Sequence, residues 1–328
     1  MSSSRGAGPA PSPGSAAGTS TPGTADQARP TPPTWLPVAA VGVTLVLWAS
    51  AFVAIRHLGE DFSAGALSLG RLLVGALCLA VVALGRGVPR LRAAQWRSVL
   101  VIGVLWFGVY NVALNEGEQR VDAGTAAMLI QVSPVLIALL AALVLGERFT
   151  AWLGLGLALA FAGVGLIALA SEGAGGRDVL GVLLCLLAAV VYAVSVIVQK
   201  PLMASLAAVH VTWLACTVGA VVCLPFAGQL LTQAQAAPGS SIAWLVYLGV
   251  FPTAVAFTTY AYALTHMDAS RLGVTTYLVP PITIVLGLLF LGEAPPPVAY
   301  LGGLLCLVGV AVARRKPRTL ATEPPAPR

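Results

Sequence analysis

The chain has 328 residues, of which 58% are hydrophobic and only 9% are charged, and its mean hydropathy is +0.90. A soluble domain carries about a quarter of its residues as Asp, Glu, Lys or Arg, so this composition excludes an ordinary water-facing surface and predicts an all-α integral membrane protein. The net charge of +6 does not indicate a nucleic-acid partner, because the basic residues lie in short connections and at the two ends.

The apolar segments begin near residue 35 and follow one another to the end of the chain. Residues 1–34 are rich in Pro, Gly, Ser, Thr and Ala and predict a disordered cytoplasmic tail, and residues 315–328 predict a basic cytoplasmic tail. Spanning the hydrocarbon core takes about 20 apolar residues per helix. The ten predicted transmembrane helices are Trp35–Ile55, Ser63–Leu84, Ser98–Asn115, Ala123–Leu145, Trp152–Ala170, Leu180–Val198, Ala207–Phe226, Ile242–Leu264, Leu272–Leu291 and Val298–Val312.

The distribution of Lys and Arg predicts the orientation of these helices. With the N-terminus in the cytoplasm, the outside loops hold only Arg56, Arg120 and Arg177, and Arg71 lies inside a span. The remaining fourteen of the 18 basic residues then face the cytoplasm, as the positive-inside rule requires. We therefore expect a multi-pass protein with both termini in the cytoplasm. The abundance of Arg, Ala and Gly is typical of a GC-rich bacterial genome and indicates the bacterial inner membrane.

The chain also contains an internal repeat. At an offset of 146 residues, 122–164 falls on 268–310 without a gap, and an offset of 144 aligns the earlier segments. The coinciding pairs are Asp122 with Asp268, Pro134 with Pro280, Gly146–Glu147 with Gly292–Glu293, Gly156 with Gly302, Gly163 with Gly309, Trp48 with Tyr192, Arg56 with Lys200, and Gly75 with Gly219. The match predicts two five-helix halves, residues 35–170 and 178–314. Because five is odd, the halves would be inverted in the membrane, which is characteristic of secondary transporters.

Four segments carry a family pattern. They are WASAFVAIR (Trp48–Arg56), AGTAAMLIQVSPVLIALLAALVLGERF (Ala123–Phe149), GLALAFAGVGLI (Gly156–Ile167) and SRLGVTTYLVPPITIVLGLLFLGE (Ser270–Glu293). Through them, residues 36–316 resemble the EamA family of the drug/metabolite transporter superfamily. The resemblance implies a ten-helix transporter with both ends in the cytoplasm that moves small metabolites, often amino acids or xenobiotics, usually outward.

Polar and aromatic residues near the middle of the predicted helices are candidates for substrate binding. Buried polar groups in a membrane need partners, and an aromatic cavity suits amphipathic metabolites. The predicted substrate-binding residues are Trp48, Arg71, Tyr110, Asn111, Gln131, Tyr192, Tyr260, Thr276 and Tyr277, and further candidates are Ser50, Trp106, Ser133 and Ser195. The alternative for each residue is hydrogen bonding between helices or anchoring at the membrane interface.

Pro134 and Pro280 are predicted as a hinge in each half. A proline inside a helix removes a hydrogen bond and frees the carbonyl four residues earlier, which here belongs to Ile130 and Thr276. In lipid, such a carbonyl has to face protein or a water-filled cavity. The paired positions therefore indicate hinges at the boundary between the halves, with static kinks as the alternative.

Arg71 is the charged residue that the sequence predicts inside a span. It would either attract a substrate carboxylate or pair with Glu116, Glu118 or Asp122 at the outer side. Glu116 and Glu118 belong to the polar cluster Asn115–Arg120 at the outer end of the third predicted helix, which is interpreted as an outer gate or a solvated loop. Since no carboxylate is expected deep in a span, the sequence does not predict direct proton coupling. It leaves open exchange, facilitated efflux and a proton route through the outer carboxylates.

The remaining residue types narrow the function further. The five cysteines lie in apolar runs without CxxC spacing, so we expect them to be small core residues, and neither a metal site nor a cofactor is expected.

Two rival functions are an integral-membrane enzyme acting on lipid-linked substrates and a receptor without transport. An enzyme needs clustered acids, bases or metal ligands, and a receptor does not need inverted halves. The predicted function is therefore a secondary transporter that exports a small molecule by alternating access, and the sequence favours neither a monomer nor a homodimer.

Overall fold

The computed structural model describes residues 35–144, 150–172, 179–266, 275–313 and 315. All regular secondary structure in these ranges is helical. The predicted features that lie outside them are the tail at 1–34, the pair Gly146–Glu147, the first residues of the ninth predicted helix, Asp268, and the tail beyond residue 315.

The first half begins its helices at residues suited to capping. Asp122 accepts a hydrogen bond from the Thr125 backbone N–H at 2.8 Å and starts one helix, and Ser63 caps another through the Ala66 N–H. The elements of this half are α1 (Trp35–Leu58), α2 (Ala64–Gly85), α3 (Ala93–Ile102), the π-helical segment Gly103–Val109, α4 (Tyr110–Glu118), α5 (Ala123–Ile130), α6 (Ser133–Val144) and α7 (Ala151–Glu172).

The second half repeats this order. Its elements are α8 (Val179–Gln199), α9 (Ala208–Val222), α10 (Ala227–Ala236), α11 (Gly239–Leu248), the π-helical segment Gly249–Val255, α12 (Ala256–His266), α13 (Val279–Leu291) and α14 (Pro297–Ala313). Short 3₁₀ turns occur at Leu202–Ala204, Leu224–Phe226 and Thr276–Leu278. The described part of the chain thus alternates long apolar helices with brief connections.

The lengths of these helices test the predicted spans. Within the described residues, six helices are long and apolar enough to cross a membrane, or up to seven if the bent pair Ala208–Val222 and Leu224–Ala236 counts as one. Three further apolar helices are shorter, at 10–17 residues. The multi-pass helical class is confirmed, whereas the count of ten stays a prediction.

Two predicted boundaries are wrong. The third helix runs continuously over Ala93–Glu118 instead of Ser98–Asn115, because Asn115 and Glu118 bury their side chains and need not emerge into water. The seventh helix ends at Val222 and bends by 51° into α10, so most of the polar stretch Gln229–Ser241 is helical.

The two halves share the same internal spacing. Helices α3, α6 and α7 begin at Ala93, Ser133 and Ala151, and each start recurs 146 residues later, in α11, α13 and α14. The two π-helical segments follow the same offset, and α1 and α2 begin 144 residues before α8 and α9. A π-helical segment is a rare local feature, so its recurrence at one position in each half supports a common origin.

The crossing of α7 and α14 also relates equivalent residues of the two halves. A Cβ atom built on Gly163 would lie 2.5 Å from the Gly302 carbonyl oxygen, and one on Gly302 would lie 2.6 Å from the Gly163 carbonyl oxygen. Gly156 and Gly309 make the equivalent pair at 2.5 and 2.6 Å. Only glycine permits the two backbones to approach this closely, as is common between membrane helices.

Both predicted hinge prolines start helices. Pro134 is the second residue of α6 and Pro280 the second residue of α13, and each follows an interruption of the regular helix. Proline is tolerated in a first turn because the N–H there has no intrahelical acceptor. Pro134 thus lies beside a short break within the apolar span Ala123–Val144, and Pro280 follows a 3₁₀ turn. The two prolines occupy equivalent places, and their role as hinges stays a prediction.

The core draws on both halves of the chain. One hydrophobic cluster contains Cys185 and Cys306, and a second contains Cys216 and Cys223, all four of them buried. Cys78 is partly buried, and all five thiols are free. The cysteines therefore pack as small apolar residues, as predicted.

Candidate functional site

A cavity of about 300 Å³ is lined by helices of both halves. The first half contributes residues from α1, α2, α4, α5, α6 and the π-helical segment between α3 and α4. The second half contributes residues from α8, α12 and the start of α13. Most of the lining residues are apolar or aromatic, which is typical of a pocket for a small organic molecule.

Aromatic rings form a continuous wall in this cavity. The ring centroids of Trp48 and Tyr260 are 5.1 Å apart, and those of Trp106 and Tyr192 are 5.0 Å apart. Phe257 joins the two pairs, at 5.8 Å from Trp48 and 5.9 Å from Trp106. Such edge and tilted contacts are the favourable arrangements of aromatic rings, and together they make the wall continuous and largely apolar.

Arg71 places a positive charge on the cavity wall. The residue is 9% exposed, and its Nε donates a hydrogen bond to Thr253 Oγ1 at 3.2 Å. Thr253 Oγ1 donates to the Leu248 carbonyl oxygen at 2.9 Å, which orients the hydroxyl for the guanidinium. Arg71 forms no ion pair within 4.0 Å with a carboxylate in the described residues.

Two carboxylates that were candidates for pairing with Arg71 bind other groups. Glu116 binds Arg120 on the same helix end at 2.7 Å. Asp122 accepts hydrogen bonds from the Thr125 N–H and hydroxyl at 2.8 and 2.7 Å. Arg71 forms no ion pair with Glu116, Glu118 or Asp122 in the described residues, so the predicted pairing is wrong, and the guanidinium lies on the cavity wall instead.

The two carbonyls expected to be freed by proline both have partners. Ser133 Oγ donates to the Ile130 carbonyl oxygen at 2.6 Å. Gln131 Nε2 donates to the Thr276 carbonyl oxygen at 2.6 Å and so connects the two halves. Ile130, Gln131 and Thr276 all line the cavity, so the helix interruptions lie at its wall.

The structure brings most of the predicted binding residues together. Those on the cavity wall are Trp48, Arg71, Tyr110, Gln131, Tyr192, Tyr260 and Thr276, together with the hinge residue Pro134 and the further candidate Trp106. Their role in binding stays a prediction. Asn111 lies off the wall, and its Nδ2 donates to the Phe107 and Trp106 carbonyl oxygens of the π-helical segment. Tyr277 packs against a hydrophobic cluster and Pro280 is buried in α13, so neither reaches the cavity.

Glu118 is a cavity residue that the sequence analysis assigned to the outer cluster. It is the last residue of the continuous helix Ala93–Glu118, its side chain is fully buried, and it lines the cavity. Glu118 therefore belongs to the end of this helix and not to a loop after it, and the expectation that no carboxylate lies deep in a span stays a prediction. A usable signal was present, because Asn111, Asn115 and Glu118 follow the i, i+4, i+7 spacing of one helix face. Phe257 was missed as well, since an aromatic residue in an apolar run carries no distinguishing pattern.

The outer cluster is attached to the helix bundle and is only partly exposed, with side chains 34% and 36% exposed in its Arg120–Glu116 pair. Asn115 Nδ2 donates to Ser68 Oγ at 2.8 Å, and Gln119 Nε2 donates to the Phe62 carbonyl oxygen at 3.0 Å. The cluster therefore ends one helix and attaches it to the neighbouring α2.

An ion pair near this cluster joins the two halves. Arg56 Nε and Nη2 donate to the Glu293 carboxylate at 3.0 to 3.2 Å, and Nη1 donates to the Gln119 carbonyl oxygen at 2.9 Å. Glu293 directly follows Gly292, whose φ of 65° lets the chain leave α13. A second cavity of about 330 Å³ lies beside this pair.

The ionisable residues of the described ranges do not form a metal centre. No group of three or more His, Cys, Asp or Glu side chains that could hold a metal ion occurs within them.

These features define a multi-pass helical membrane protein with a small-molecule cavity between two similar halves. The model of the EamA-like transporter family matches the chain twice, over residues 35–169 and 179–315. The chain therefore belongs to the EamA-like transporter family, and the resemblance inferred from the sequence is confirmed.

Relatives with curated names agree with this class. The chain is 38% identical over 278 residues to a probable terminal-alkyne amino-acid exporter from Streptantibioticus cattleyicolor, covering 84% of this chain and 93% of that protein. It is 32% identical to the uncharacterized transporter YdfC of Bacillus subtilis, over 80% and 86% of the two chains. A solved crystal structure at 22% identity superposes with a TM-score of 0.57 over 85% of this chain and 96% of its own, which shows the fold alone. The family and the names point to a membrane transporter and not to an enzyme.

Proposed function

We propose that this chain exports small metabolites bearing a carboxylate and an apolar side chain, amino acids in particular, by alternating access. The observation that carries the proposal is a cavity that combines one buried cation with an aromatic wall built by both halves. Arg71 binds the substrate carboxylate, because a guanidinium matches the two oxygens of a carboxylate geometrically. The aromatic rings contact the apolar side chain. The exporter named for terminal-alkyne amino acids supports both the direction and the substrate class.

The proposed architecture has ten spans in two inverted halves of five. The six long helices, the bent pair and the three shorter apolar helices together supply ten crossings. The equal spacing of helix starts and the reciprocal glycine contacts support the repeat. Inverted halves can exchange conformations, so that the same cavity opens first to one side of the membrane and then to the other.

Pro134 and Pro280 are the proposed hinges of this exchange. Each begins a helix beside an interruption, where backbone angles can change without breaking a continuous helical hydrogen-bond ladder. The Arg56–Glu293 ion pair closes the outer side, since it links α1 to the end of α13.

The proposed location is the bacterial inner membrane, with both termini in the cytoplasm and with lipid and a small molecule as the partners. Single cysteines at Ala94 and at Gly173, a position outside the described residues, test this topology in a variant lacking the five native cysteines. A membrane-impermeant maleimide should label the two positions from opposite sides. Labelling of both from one side contradicts the inverted arrangement.

The transport function is tested in reconstituted proteoliposomes. We expect saturable counterflow of propargylglycine, a terminal-alkyne amino acid. Arg71→Met should lower its kcat/KM by about 10- to 100-fold, because it removes a charged hydrogen-bonding group worth about 1.5–3 kcal/mol. Arg71→Lys should retain part of the activity, and monodispersity in detergent shows that both variants fold. Absence of counterflow for propargylglycine and for a panel of amino acids contradicts the proposal, and turnover of a lipid-linked substrate would favour the enzyme.

A further inference from the structure

The proposed function leaves the chemistry of Glu118 unused. The residue is fully buried and lines the cavity on which Arg71 also lies. Neither carboxylate oxygen has a hydrogen-bond partner among the residues that the structure describes. Glu118 is thus a buried polar group directed at the space that the substrate occupies.

Charged and titratable groups of four helices interact electrostatically with Glu118. They are Arg71 of α2, Arg56 of α1, Tyr110 of α4 and Cys185 of α8, and Asp122 before α5 interacts with the same Cys185. Neither arginine neutralises Glu118 directly, because Arg56 binds the Glu293 carboxylate and Arg71 binds Thr253. The two arginines therefore act on the carboxyl group only across a distance.

An ionised carboxylate removed from water needs a bound cation or several hydrogen-bond donors, and without them it is neutralised by a proton. Glu118 lacks such donors in the described structure. A proton can satisfy this carboxyl group, and so can the ammonium group of a substrate. Only one of them can occupy the carboxyl group at a time.

The internal repeat contains an equivalent helix without this carboxyl group. At the offset of 146 residues Glu118 corresponds to Leu264, and at the offset of 144 Arg71 corresponds to Ala215. The second half builds equivalent helices with uncharged residues at both places. A fully buried charge that the fold itself does not require is an expected mark of function in a membrane protein.

We propose that Glu118 binds a proton and the substrate's ammonium group in turn, so that export of an amino acid is coupled to entry of a proton. This inference rests on the proposed function. When the substrate arrives from the cytoplasm, the O–H bond of the carboxyl group breaks, the proton leaves to the cytoplasm, and the carboxylate accepts hydrogen bonds from the ammonium group. When the substrate leaves outward, a proton from outside binds the carboxylate. Each cycle exchanges one zwitterion for one proton and moves one positive charge inward.

A pH gradient across proteoliposomes tests this coupling with propargylglycine as the probe. Vesicles with an acidic interior, clamped at zero membrane potential, should accumulate it about tenfold per unit of pH, since one unit corresponds to a tenfold proton ratio. Glu118→Gln should abolish accumulation and weaken counterflow, because a neutral amide binds no proton and accepts hydrogen bonds from an ammonium group more weakly than a carboxylate does. Glu118→Asp should restore accumulation.

Glu116→Gln is the matched control, since Glu116 lies two residues away in a partly exposed ion pair. Accumulation by Glu118→Gln, or counterflow without accumulation in the wild type, overturns the proposal.

Infrared difference spectra of the reconstituted protein separate this inference from the proposed function, because they need no substrate. Between about pH 5 and about pH 9, the wild type and Glu116→Gln should show the carbonyl stretch of a protonated, desolvated carboxyl group. Glu118→Gln should lack this band. If the wild type gives no counterflow at all, the proposed function is contradicted. The spectra still test, independently of transport, whether Glu118 binds a proton. A missing band in the wild type, or the same band in Glu118→Gln, overturns the proton site.

Discussion

The two halves of this protein share a backbone plan but not a chemistry. Their helix starts coincide at fixed offsets, and each half contains a π-helical segment at the same place. The first half nevertheless supplies Arg71 and Glu118 to the cavity, whereas the second half has Ala215 and Leu264 at those positions. Alternating access requires equivalent backbones in the two halves. Binding one asymmetric substrate requires charges that differ between the halves.

The second half, whose described residues add no charge to the cavity wall, still contributes to the site around Arg71. Thr253 belongs to the second π-helical segment and accepts the hydrogen bond of Arg71. The corresponding residue of the first half is Phe107, which has no hydroxyl. The second half therefore positions a charge that it does not carry.

The strongest test of backbone equivalence is the crossing of α7 and α14. Gly163→Val and Gly309→Val, which alter corresponding residues of the two halves, should each destabilise the protein by about 3 kcal/mol or more, because the new Cβ meets main-chain atoms that cannot move aside. Thermal unfolding in detergent, followed by size-exclusion chromatography, measures the loss. Gly165→Val is the matched control, since a Cβ there meets nothing within 4 Å. A large loss at only one of the two positions would contradict the equivalence of the halves.

A smaller effect is expected from removing the hydroxyl of Thr253, the second-half residue that accepts a hydrogen bond from Arg71. Thr253→Val should raise the KM for propargylglycine about fivefold, since a hydrogen bond between membrane helices contributes about 1 kcal/mol. Thr258→Val is the control, because its hydroxyl donates only to the Ala254 carbonyl oxygen at 2.7 Å, within its own helical segment. Counterflow at varied substrate concentration gives KM, and an unchanged KM in Thr253→Val would show that Arg71 does not depend on this contact.

The repeat and much of the cavity wall could be predicted from the sequence for a physical reason. Lipid tolerates almost any apolar side chain, so coincidences such as Pro134 with Pro280 stand out against an interchangeable background. Trp48, Arg71 and Tyr192 stood out in the same way, as polar or aromatic residues in apolar helices. They all line the cavity.

Glu118 and the helix interruptions could not be located in this way. Hydropathy places a helix end wherever polar residues cluster, and the residues from Asn115 to Arg120 form such a cluster. Whether they emerge into water depends on partners from distant segments, such as Ser68, which accepts a hydrogen bond from Asn115. The place of Pro134 at the start of α6 likewise depends on Ser133 satisfying the Ile130 carbonyl, a local contact that several backbone arrangements would permit.

The smallest expected effect concerns the ion pair that joins the halves. Glu293→Gln should favour the outward-open state by up to about fivefold, because a half-exposed pair contributes about 0–1 kcal/mol. A cysteine replacing Ala51 on the cavity wall, in a Cys78→Ala background, reports this state through its labelling rate with an impermeant maleimide applied from outside. Glu116→Gln breaks a pair of similar exposure within one helix and should leave the rate unchanged. Equal rates in both variants would mean that the Arg56–Glu293 pair only attaches a helix end, and the closure of the outer side would then depend on the packing of the two halves.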